Sequence, residues 1–107
     1  MPDVLVPLLW LLLGYLAGSI PSAYLAGRLI KGIDIRDYGS GNVGGANVMS
    51  HVARWAFVPV VLVDVLKAVL PAWGALQLTG STWAAVAAGV GAVAGHCWSL
   101  YLSFTGG

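Results

Sequence analysis

With 107 residues, 59% of them hydrophobic and 8% charged, and a mean hydropathy of +0.87, the chain cannot clothe a globular surface in polar side chains; a soluble domain carries about 25% charge. This composition indicates an integral membrane protein of one domain; the net charge of +1 says nothing of nucleic acid, and with no basic patch interleaved with aromatics no nucleic-acid partner is expected. The single cysteine, Cys97, excludes an internal disulfide and says nothing of redox compartment.

A crossing helix needs about 20 apolar residues. Three stretches qualify in chain order, predicting an all-α polytopic protein. The spans fall at residues 4–27, 55–79 and 83–104 around a loop at 28–54, forming one transmembrane domain over 1–107. The start "MPDVLVPLLW" holds an acid and no Lys or Arg, and its apolar run is long, which favours a retained helix over a cleaved signal peptide. Toward the end of span one, Gly14, Gly18, Ser19, Ser22 and Gly27 are small enough to let helices approach closely, and Pro21 ends or kinks the regular helix.

Four basic residues, Arg28, Lys31, Arg36 and Arg54, lie in or beside the loop, whereas Asp3 is the only charge before span one and the "GST" link has none. The positive-inside rule then puts the loop in the cytoplasm and the N-terminus outside. After three crossings the C-terminal "HCWSLYLSFTGG" returns to the cytoplasmic side, where it and the loop can share a site.

The loop "RDYGSGNVGGANVMSH" has more glycine than a connector requires. Gly39, Gly41, Gly44 and Gly45 permit positive φ and leave backbone N–H groups uncovered, which suits an anion nest. A helix starting near Asn47 would add its free N–H groups, and Ser40 and Asn42 supply short polar side chains at the rim. A turn with an Asn cap is the plainer alternative. No Gly-Lys-Ser/Thr follows and no strand precedes, so neither a Walker loop nor a dinucleotide fingerprint is present.

In span two, Asp64 and Lys67 share a helix face and can pair, with Pro59 and Pro71 on either side. An ionisable pair in a span is a functional candidate by default; the competing reading is a buried tie between helices. His96, near the end of span three, can act as a base or bond a neighbouring helix, and His51 is expected to be solvated. No second ligand stands at metal spacing, so no metal is expected.

The order "GSIPSAY", "GSGNVGGANV", "DVLK…LPAWG", "GHCW…LSFTGG" resembles the bacterial acyl-phosphate:glycerol-3-phosphate acyltransferases, the PlsY type, over nearly the whole chain. The loop is similar to the family's Gly-Ser-Gly-Asn-x-Gly-Ala-Thr-Asn-Val-x-Arg. Gly95–Gly107 is similar to its Gly-His-x-x-Pro-x-Phe-x-x-Phe-Lys-Gly-Gly. The resemblance implies a bacterial plasma-membrane enzyme that moves an acyl group from acyl phosphate to glycerol 3-phosphate, with no cofactor. It implies Ser40, Asn42 and His96 as catalytic or positioning residues, and a substrate-binding set of Gly39, Gly41, Gly44, Asn47, Arg54, Thr105, Gly106 and Gly107. No side chain is placed as an acyl-enzyme nucleophile, which favours direct transfer.

The chain departs from the motifs at Ala46 for Thr, Ser50 for Arg, Ser99 for Pro and Thr105 for Lys. Losing an Arg and a Lys removes two cations from a site for two phosphates. Arg54, one helical turn beyond Ser50, and Arg36 are candidate replacements. The family is also about twice this length, which implies an N-terminal portion lacking its C-terminal half, or a shortened member. The alternative function is a catalytically impaired homologue that binds phosphate or lipid, or a structural homo-oligomer in the bilayer.

Overall fold

Pro21 divides the first apolar segment. In the computed structural model, which describes residues 4–41 and 43–102, helix α1 (Leu5–Gly18) stops at Ser19 and helix α2 (Ser22–Lys31) begins after Pro21, at φ −89° and ψ 76°. Gly32, at φ +65°, closes α2 with its N–H on the Arg28 carbonyl. A 3-10 turn (Ile35–Asp37) follows, its first N–H groups capped by Asp34, and a short helix α3 (Gly45–His51) completes the loop. Helix α4 (Phe57–Thr79) then turns at Gly80, φ +67°, into helix α5 (Thr82–Cys97), capped by Ser81. Among the described residues there is no strand, and the all-α expectation holds.

Leu5–Lys31, taken across the break, and Phe57–Thr79 are both long and apolar enough to cross a membrane. Pro59 lies in the first turn of α4, where no intrahelical N–H bond is lost, and Pro71 lies inside the helix. The third expected span, 83–104, is covered by a shorter helix: α5 has 16 residues, about 24 Å of rise. Trp98 leaves helical geometry, and a second 3-10 turn (Leu100–Leu102) bends toward the α1–α2 break. Polar side chains draw it there: Ser99 Oγ donates to the Ser19 carbonyl, Leu100 N–H donates to Ser19 Oγ at 3.3 Å, and Tyr15 Oη donates to the Trp98 carbonyl at 2.6 Å.

Helices α1 and α5 meet backbone to backbone. A Cβ on Gly14 would strike Ala88, and one on Gly18 would strike Ala92. From the other side, Gly91 sits on Leu11 and Tyr15, and Gly95 on Tyr15 and Ser19. Of the small residues read from the sequence, Gly14, Gly18 and Ser19 lie in this seam, while Ser22 bonds Asp64 and Gly27 packs on Ile33 and Ile35. Gly91, Gly95 and the fully or nearly fully buried Ala84, Ala88 and Ala92 supply the α5 side. The loop forms a second packed unit: Ile35, Val43, Val48, Val52 and Leu102 bury against Ala23 of α2 and Val60 of α4. Leu102 brings the end of the described chain and the glycine loop into one core.

Candidate functional site

The loop geometry is set by two glycines rather than four. Gly39 (φ +54°) and Gly41 (φ +74°) take the left-handed conformation that favours glycine, with exposed Ser40 between them. Gly44 is extended (φ −137°, ψ 167°) and Gly45 is the first residue of α3, so the expected positive φ at these two positions is not present. The helix expected near Asn47 starts at Gly45 and is only seven residues long. Asn42 lies outside the described residues, as do Thr105, Gly106 and Gly107.

Asn47 is buried, and its Nδ2 donates to the carbonyls of Ile35 (3.2 Å) and Tyr38 (2.9 Å). Its amide nitrogen is thus committed to closing the loop. The missing side chain of Gly39 makes a seat for Asn47 and for His51: a Cβ there would come within 2.6 Å of His51 Cε1. His51 is consequently not solvated as expected. Its ring is half-buried against Tyr38, centroids 6.1 Å apart, and its Nδ1 is sealed from solvent.

The replacement cations are not arranged as the sequence suggested. Arg36 grips Asp34 through Nε (3.0 Å) and Nη2 (2.7 Å), and its guanidinium lies 5.2 Å from the Tyr24 ring centre. Arg28 lies 5.4 Å from the same ring and donates from Nε to Tyr24 Oη at 3.1 Å. These hydrogen bonds from Arg36 hold the Asp34 carboxyl well below its usual range, at about 2. Helix α3 ends at His51, so Arg54, exposed in the turn into α4, does not continue the helix that carries Ser50.

His96 stands at the other side of the site, half-buried, with Nδ1 3.8 Å from Asp64 Oδ1. That carboxylate accepts the Ser22 hydroxyl and pairs with Lys67 Nζ at 2.9 Å, and Lys67 donates to the Ile20 carbonyl at 3.0 Å. The buried-tie reading of Asp64 and Lys67 is therefore what the contacts display, with Ser22 and Ile20 as partners that spacing along α4 gave no sign of. A cleft of about 10 Å³ between the units is lined by Ser19, Ser22, Val43, Lys67, His96 and Ser99 among others. A larger cavity among the described residues, about 940 Å³, is an open and mostly aliphatic groove around Leu8, Leu11, Trp83 and Val86, away from every polar group just described. The structure thus brings His96 and Val43 of the loop to one cleft, and leaves Ser40 and Arg54 on the exposed outer side.

Residues 8–107 match the family model described as Glycerol-3-phosphate acyltransferase. The chain is 47% identical over 106 residues to a glycerol-3-phosphate acyltransferase of Parasynechococcus marenigrum, covering 99% of this chain and 50% of that relative. Its fold is similar to crystal structures of PlsY, an integral membrane glycerol 3-phosphate acyltransferase, in a lysophosphatidic acid form (TM-score 0.82) and a glycerol 3-phosphate form (0.80). Both are 34% identical, and the match covers 94% of this chain and 50% of each of those. The chain spans about half the length of the curated relatives it matches.

Proposed function

Since this chain belongs to the glycerol-3-phosphate acyltransferase family, we propose that it supplies part of a membrane-embedded site where glycerol 3-phosphate takes an acyl group from acyl phosphate, giving lysophosphatidic acid. The observation that carries this reading is the convergence of the glycine loop and the end of α5: Val43 and Leu102 share one core, and Val43 and His96 share one cleft. In this reading α1–α2, α4 and α5 are the three spans, with their exposed Leu and Val faces toward lipid. The end carrying Arg28, Lys31, Arg36 and Arg54 is cytoplasmic and the N-terminus is outside.

The chemistry needs little from side chains. The free hydroxyl of glycerol 3-phosphate attacks the acyl carbonyl, the new ester C–O bond forms, the acyl–phosphate C–O bond breaks and inorganic phosphate leaves, with the hydroxyl proton passing to a phosphate oxygen. Backbone N–H groups of the glycine loop other than that of Gly41, which donates to the Tyr38 carbonyl at 2.9 Å, hold phosphate, with Ser40 and Asn42 adding contacts and Gly106 and Gly107 serving the acyl phosphate. Holding both phosphates in one place supplies the proximity.

Two observations favour weakened catalysis as the second reading. Arg36 is engaged with Asp34, and Arg54 is off the helix that carries Ser50, so neither takes the place of the motif's Arg without rearrangement. The test supplies the unmatched portion of the Parasynechococcus relative together with this chain and measures phosphate release from acyl phosphate with glycerol 3-phosphate. Transfer that rises with Ser50→Arg plus Thr105→Lys, and falls with Gly41→Val, supports the acyltransferase. Glycerol 3-phosphate binding without transfer in any of these forms points to the impaired homologue, and binding that Gly41→Val leaves intact removes the nest.

A further inference from the structure

Asp64 and Lys67 bond more widely than a tie between two helices requires. Lys67, only 6% exposed, reaches the carbonyl of Ile20, which the break at Pro21 leaves at the surface of the α1–α2 elbow. The same carbonyl takes the Ser22 N–H at 3.1 Å, so the elbow is cross-linked within itself and to α4. Asp64 Oδ1 holds the Ser22 hydroxyl on one side and faces His96 Nδ1 on the other. One ion pair thereby touches the elbow, α2 and the end of α5.

A buried ion pair is a poor way to add stability, since desolvation consumes most of the attraction and packed apolar side chains do as well. An apolar pair, however, cannot satisfy the Ile20 carbonyl or present a carboxylate to an imidazole. We infer that Asp64 and Lys67 are positioning residues: Lys67 sets the elbow through Ile20, and Asp64 sets Ser22 and the orientation of His96, which together fix the floor on which Val43 of the glycine loop rests. The cleft beside the pair has room for about one water and is bounded by Ser19, Ser22, Lys67, His96 and Ser99, so Lys67 and the imidazole line the same small space.

The catalytic consequence rests on the acyltransferase reading; the geometric one does not, and the experiment keeps them apart. Asp64→Asn with Lys67→Met removes both charges together, which a purely stabilising pair tolerates. The ¹⁵N imidazole signal of His96 is recorded in detergent, with His51, the only other histidine, as internal reference. The expected result is a near-native unfolding temperature with a displaced His96 signal. With the complementary portion of the relative supplied, kcat falls about a hundredfold and KM for glycerol 3-phosphate changes by no more than about twofold. Asp64→Glu, which keeps the carboxylate, recovers part of kcat. An unmoved His96 signal in the folded double variant overturns the inference, as does unchanged kcat. If the double variant does not fold, Ser22→Ala, which removes one arm from Asp64, replaces it, and an unmoved signal there overturns the inference equally. Absence of transfer by the wild-type chain and its complement sinks the acyltransferase reading, while the His96 signal still decides the positioning.

Discussion

The α1–α5 seam and the loop between α2 and α4 are both well packed, yet they are built on different principles. The seam exists because side chains are missing: Gly14, Gly18, Gly91 and Gly95 let two backbones touch, and any Cβ, whatever its chemistry, meets a carbonyl or Cα. The loop exists because a few polar side chains reach backbone and each other: Asn47 to two carbonyls, Asp34 to Arg36. Volume therefore governs the seam, whereas the loop needs hydrogen bonds in addition to its apolar core, and substitutions separate the two.

The largest effect is expected at the seam. Gly91→Val drives a side chain into Leu11 and Tyr15 backbone and should cost more than about 3 kcal/mol, seen as loss of cooperative unfolding in detergent. Gly89, two residues away on α5 with open space around it, should accept Ala with a change of about 1 kcal/mol or less, in the stabilising direction. Equal damage at both positions would dissolve the distinction between seam and lipid face.

An intermediate effect is expected in the loop. Asn47→Leu keeps approximate volume but takes the second hydrogen bond from the Ile35 and Tyr38 carbonyls, which keep only the N–H groups of Tyr38 and Gly41, at a cost of about 1–2 kcal/mol. Hydrogen exchange at the loop amides should accelerate while the α1–α5 amides stay protected. If exchange rises in both regions together, the two units do not unfold independently.

The smallest effect is a pH dependence. Asp34 has a carboxyl depressed from 3.8 to about 2, so its contribution is complete above pH 3.8 and drains away as pH falls toward 2. Its partner Arg36 is partly exposed, which limits the contribution to about 1 kcal/mol or less. The stability difference between wild type and Asp34→Asn should be flat above pH 4 and close between pH 3.8 and 2. A difference that persists at pH 2 would assign the cost to packing rather than to the ion pair.

Legibility from sequence followed the same division. The α1 side of the seam was readable in Gly14 and Gly18, and the break in Pro21, whereas the α5 side at Gly91 and Gly95 was not. The Asp64–Lys67 pair was readable for the reason that charge is rare in an apolar segment. The early end of α5 was not, because its cause is Ser99 bonding to Ser19, 80 residues away in the chain. The loop was half-readable: glycine-rich composition marked it, but which glycines take positive φ depends on where Asn47 and His51 sit, and no period or spacing encodes that. The burial of His51 followed from a neighbour having no side chain, a signal visible only in three dimensions.

The partnership of α1 with α5 also has a consequence in time. Ribosomes add about 5–20 residues each second, so the 80 residues between Ser19 and Ser99 take roughly 4–16 s to appear. Throughout that interval α1 is already made while its glycine face has nothing to touch, and α2, the loop and α4 emerge before the contact that closes the bundle. Helix α5 is the one that seats α1, so this seam cannot close until α5 has been made, and it forms later than the parts between them.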